Sequence, residues 1–150
     1  MREGKIDAGL QPFPLSYESE DAGFSNLGPI AKVVPEYEFT AVFLDPAWAA
    51  ANRPAVSGFL RALRRGQEAM ATHPDDTAAV LVKELSTTPA YARRAVDDAL
   101  RLELMPDGLA ASEAGMRRVF TTLQRAGLVP AGEPFDMARF VDASYLPASR

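Results

Sequence analysis

Cysteine and histidine are scarce in this sequence, and spacing narrows the other side chains whose types could do chemistry. There is one histidine, His73, and no cysteine. Cysteine nucleophiles, disulfides, thiolate metal sites and histidine-rich metal clusters are therefore excluded together. His73 stands just before Pro74 near a helix end, where a protonated imidazole complements the helix dipole. No Ser, Cys or metal-binding partner lies at a useful spacing from it, so it does not read as catalytic. The acid pairs Asp75-Asp76 and Asp97-Asp98 are adjacent in sequence. Adjacent carboxylates do not converge on one point as a catalytic pair must. Arg61, Arg64 and Arg65 resemble an anion patch, but their spacing puts them on a solvated helix face. Arg93-Arg94 and Arg117-Arg118 read the same way.

Binding chemistry is better represented. Gln11-Pro12-Phe13 offers an amide, a rigid turn and an aromatic face. The amide both donates and accepts, which suits a carboxylate, a sulfonate or a ring nitrogen. The same residues equally make a plain turn with Phe13 in the core. Tyr17, one helical turn past Phe13, either adds a phenol to that wall or packs with a wet hydroxyl. Trp48 is a stacking platform by type, yet its Ala-rich setting suits packing between elements. The formal net charge is −4, and no basic stripe of the kind that tracks a phosphate backbone stands out, which disfavours nucleic acid. No metal or cofactor is implied.

The elements that must position these residues fall into two unequal parts. The chain of 150 residues suits one domain or a large piece of a two-lobed one. Up to about Glu36 the pattern is of short strands broken by Pro, Gly, Ser and Asn. Ile6 to Leu10 is a brief run, Leu15 to Ala22 a short helix ended by Gly23, and Pro29 to Val34 a strand ended by Pro35. Phe39-Thr40-Ala41-Val42-Phe43-Leu44 is the clearest strand, nearly all apolar and stopped by Asp45-Pro46. Beyond it the spacing turns helical. Asn52-Arg53-Pro54 opens a helix whose stripe is Val56, Phe59, Leu60, Leu63, Gln67 and Met70. Asp75-Asp76, Thr88-Pro89 and Ser112-Glu113 open three more, Gly127 ends the last, and 136–141 makes a final short turn before a polar tail. Strands followed by amphipathic helices predict an α/β domain with helices covering a sheet. Three strands are few for four helices. Either the fold is mostly helical or further strands lie outside this chain.

Several segments, in order, resemble the NMT1/THI5-like (sulfonate/nitrate/taurine-type) solute-binding proteins of ABC importers. They are Gly4-Lys5-Ile6-Asp7-Ala8 with Gln11-Pro12-Phe13, then Phe39 to Leu44 followed by Pro46 to Pro54. Val56, Phe59, Leu60 and Ala62, then Pro74-Asp75, and finally Leu123 with Gly127 to Pro130 complete the series. The resemblance covers Gly4 to Leu128 and implies the C-terminal portion of a type II periplasmic-binding-protein fold, two α/β lobes with ligand between them. On that reading residues 1–37 end the second lobe, and 38–150 hold a crossover strand and helices that pack on the first lobe. Most of the first lobe and an export signal would precede Met1, which has no apolar signal region after it. The implied ligand site comprises Gln11, Phe13 and Tyr17, with Thr40 as a hydroxyl on the crossover strand; Thr40 also reads as plain β propensity. The implied partners are a small organic molecule or anion (sulfonate, nitrate, taurine, pyrimidine or aromatic acid) and an ABC permease. The full-length family is periplasmic or otherwise extracytoplasmic. A severed lobe would also be prone to dimerise through its exposed surface.

Two other readings remain open. One is an enzyme of the related pyrimidine-synthase branch, which makes a thiamine precursor and relies on cysteine and histidine residues that this chain lacks. The other is a helical module that binds a protein partner, since an amphipathic stripe faces a partner as readily as a sheet.

Overall fold

Three α-helices start where the sequence supplies a side chain to cap the first free N–H groups. Asp45 Oδ1 accepts from the Trp48 N–H at 2.7 Å, Thr88 Oγ1 from the Tyr91 N–H at 3.2 Å, and Ser112 Oγ from the Gly115 N–H at 3.2 Å. These caps open α2 (Pro46–Ala51), α5 (Pro89–Arg101) and α6 (Glu113–Arg125). Proline stands in the first turn of α2, of α5 and of α4 (Pro74–Leu85), where its missing N–H costs nothing. The remaining helices are α1 (Leu15–Asp21) and the long α3 (Arg53–Thr72). Short 3-10 turns lie at Ile30–Lys32, Asp107–Leu109, Met137–Arg139 and Ala143–Tyr145. The structure is a computed structural model that describes residues 1, 3–105 and 107–147, so the last three residues of the polar tail lie outside the described ones.

Left-handed glycines stop two helices. Gly23 (φ 87°) and Gly127 (φ 73°) each follow a helix. The next N–H then reaches back five residues, Phe24 to the Ser19 carbonyl and Leu128 to the Leu123 carbonyl. Both closures are Schellman motifs, in which glycine carries no side-chain penalty.

The chain divides into two compact units. The first comprises Met1–Leu27 and Glu68–Leu104, the second Gly28–Gln67 and Met105–Arg150. In the first, α4 and α5 form a helical hairpin across the three residues Ser86, Thr87 and Thr88. Its core is Met70, Ala78, Ala92 and Val96, with Leu81, Val82 and Ala99 packed against them. Ala78, Ala92 and Ala99 are small, and Met70, Leu81, Val82 and Val96 supply the bulk of this core. In the second unit Phe120 of α6 is buried against Phe135 (5.5 Å, edge-on) and Phe140 (5.8 Å). Gln124 Nε2 ties the loop after α6 by donating to the carbonyls of Pro130, Ala131 and Glu133 at 2.9–3.2 Å.

The fold corrects the expected α/β architecture. Among the described residues there is no strand and no sheet, and hence no two-lobed α/β fold. Ile6 to Leu10 is irregular, the Pro29 to Val34 stretch makes the 3-10 turn, and Phe39 to Leu44 is neither helix nor strand. The physical reason lies in what a strand requires. β propensity measures fit to a pleated, paired surface, and these three runs are not paired with one another. Within the first unit α4 and α5 cover each other instead.

Candidate functional site

Two places in the molecule hold side chains arranged for more than packing. The first is built around Tyr17 on α1. Its ring stacks on Phe13 at 5.2 Å between centroids, with the planes 13° apart. The Tyr17 side chain is only 1% exposed. Its hydroxyl donates to Asp98 Oδ2 at 2.9 Å, and the Arg94 guanidinium lies over the ring at 4.1 Å. Arg94 also donates to Glu20 Oε2 at 2.8 Å, Arg101 donates to Asp98 Oδ1 at 2.7 Å, and Tyr91 donates to Asp21. Apart from Phe13, which precedes α1, these groups sit on two helices of the first unit, α1 and α5.

The electrostatics follow from those contacts. Burial pushes the Tyr17 phenol well above its ordinary range, and donation to Asp98 pushes it further. The Arg101 hydrogen bond holds Asp98 below the usual carboxylate range. Donation from Asn26, then from Arg94, does the same for Glu20. A phenol that keeps its proton and carboxylates engaged with cations are poor proton shuttles. The cluster is chemically a clamp.

The structure thus brings together two of the four residues expected to bind ligand. Phe13 and Tyr17 touch, whereas Gln11 lies exposed before them. Thr40 belongs to the second unit, exposed on irregular chain. The sequence reading missed Arg94, Asp98, Glu20, Tyr91 and Asp21. A partial signal existed, since Tyr91, Arg94, Asp98 and Arg101 follow helical spacing along one face. The Thr72 hydroxyl lies 2.8 Å from His73 Nδ1, but it donates its proton to the Glu68 carbonyl at 2.9 Å. Thr72 is therefore not activated by the imidazole. A shallow hollow on the α4–α5 hairpin is lined by Asp75, Ala78, Ala79, Val82, Pro89 and Arg93. Its one cation, Arg93, is already paired with Asp75 and Asp97. Among the described residues no group of His, Cys, Asp or Glu is placed to hold a metal.

The second place is the span Phe39–Leu44 in the second unit. Phe39 is 82% and Phe43 88% exposed, while Val42 and Leu44 are 49% and 44% exposed. No backbone hydrogen bond joins any of these six residues to another described residue. The span is nonetheless held at both ends. Upstream, Gly115 on α6 leaves room for the chain, since a methyl there would sit 3.2 Å from the Glu36 carbonyl oxygen and from the Glu38 nitrogen. Glu38 Oε2 also accepts from the Ser112 N–H at 3.2 Å. Downstream, Asp45 is fixed as the cap of α2. Six uncharged, β-prone residues are thereby held in water between two anchors.

Comparison with family models, with curated proteins and with solved structures gave no match in any of the three. The likeness to solute-binding proteins stands on the sequence segments alone. No helix among the described residues is long and apolar enough to cross a membrane.

Proposed function

We propose that this chain is a protein-interaction module that binds a partner through the exposed apolar span Phe39–Leu44, with no chemistry of its own. The observation that supports this most is the exposure of Phe39 and Phe43 on a tethered segment. Fully burying a phenylalanine is worth about 1.5–3 kcal/mol, and neither ring contributes that to its own fold. Trp48, half exposed on the neighbouring helix α2, extends the apolar character along the chain. Aromatic side chains are the type that dominates the buried centres of interfaces.

The importer reading, with a small organic ligand, an ABC permease and an extracytoplasmic location, retains the ordered segments as its support. It lacks a sheet to wall its cleft among the described residues. The Tyr17 ring offers no open face in exchange, because it is buried beneath Arg94, and only Phe13 of the stack is part-exposed.

A photoreactive residue at position 43 of the full chain tests the interaction reading in the cells that make it. The expected result is a discrete protein adduct that disappears in the Phe39→Ser background. Labelling at position 43 that matches labelling at Lys83, an exposed position on α4, would contradict it.

A further inference from the structure

We infer that Phe39–Leu44 docks by adding as a strand to the open sheet edge of a partner protein whose edge is flanked by basic side chains. This rests on the interaction reading above and specifies its geometry and its chemistry. Three observations point there together. The span is β-branched and aromatic with no Gly or Pro inside it, a composition suited to a pleated surface. Its backbone donors and acceptors make no bond to another described residue, so all are open to a partner edge. All six residues are exposed, and the two rings stand furthest out, Phe39 at 82% and Phe43 at 88% against 49% for Val42 and 44% for Leu44. In strand form Phe39, Ala41 and Phe43 share one face. The two rings would then lie about 13 Å apart, matching two pockets on one partner surface.

The charges select the occupant. Glu36 and Glu38 precede the span and Asp45 comes directly after it, with Pro35 and Pro46 just outside. Antiparallel pairing with a second copy, centred on the span, sets Glu38 opposite Asp45. Parallel pairing in register sets each acid against itself. Like charges directly opposite destabilise a strand pair, so a second copy is disfavoured in either orientation. An edge with Lys or Arg at both ends meets the same acids favourably, whichever way it runs. The prolines limit the added strand to the residues between them, because neither can donate to a ladder.

The test uses the full chain at pH 7 and two synthetic cyclised β-hairpins of alternating Thr and Val. One hairpin carries Lys at both ends of its open edge, the other Glu. The expected result is slowed amide exchange within Phe39–Leu44 on adding the Lys hairpin, with about tenfold weaker binding of the Glu hairpin. The triple variant Glu36→Gln, Glu38→Gln, Asp45→Asn should bring the two hairpins to within about twofold of each other; Asn keeps the α2 cap. Equal binding of both hairpins by the unmodified chain would overturn the basic-partner assignment. Binding without protection of the span would overturn strand addition and leave the interaction reading standing. A neutral-pH dimer protected across the span would make a second copy the occupant and overturn the proposal. Loss of the position-43 adduct, by contrast, is the failure of the interaction reading itself.

Discussion

At the scale of single residues, the molecule treats its aromatic side chains in two opposite ways. Tyr17 is committed to the fold, held by Asp98, Arg94 and Phe13 at once. Its pH behaviour has a definite sign. The folded-state phenol is raised, so its stabilisation is complete below the ordinary value of 10.0 and is lost as pH climbs beyond it. Asp98 is lowered, so its contribution is complete above the ordinary 3.8 and is lost as pH falls below that. Tyr17→Phe should cost about 1.5–3 kcal/mol in urea unfolding at pH 7, the value of a hydrogen bond to a charged group. It should also flatten the alkaline loss of stability, leaving the smaller part from Tyr91, whose phenol is raised by donation to Asp21. A variant as stable as the parent across that range would contradict the clamp. Phe43 lies at the other extreme. Phe43→Ser should leave unfolding within about 0.5 kcal/mol of the parent, as for an ordinary surface position.

At the scale of elements, the helices were legible because their signals are local. Thr88 and Ser112 cap the helices after them, and Gly23 and Gly127 close the helices before them. A strand carries no such local guarantee. Phe39–Leu44 has strand composition, but pairing depends on a second segment that nothing within the six residues specifies. The Tyr17 cluster divides along the same line: Phe13 and Tyr17 are neighbours by helical spacing, whereas Asp98 lies 81 positions away. The anchor of the span can be tested with two glycines. Gly66 in α3 has nothing near its missing methyl, so Gly66→Ala should stabilise by about 0.5–1 kcal/mol through helix propensity. Gly115 meets backbone at 3.2 Å. Gly115→Ala should therefore gain nothing or lose stability, and thermal unfolding of the two variants separates the cases. Equal gains would show that α6 does not hold the upstream end of the span.

At the scale of the whole molecule, the two compact units differ in charge. The first carries twelve acidic and six basic side chains, the second eight and ten. The acids of the first unit include the clamp carboxylates, while the second holds the apolar span. The sheet expected from the sequence is not formed among the described residues, and the apolar run Phe39–Leu44 that was to build part of it is exposed. Binding through Phe39–Leu44 requires that the free chain leave this span unpaired. Residue-resolved amide hydrogen exchange on the free chain at neutral pH reads that directly. The expected result is exchange near the unprotected rate across 39–44, alongside clear protection in α5. Protection of 39–44 comparable to that of α5 in the monomer would contradict it, because the span would then already have its partner within the fold.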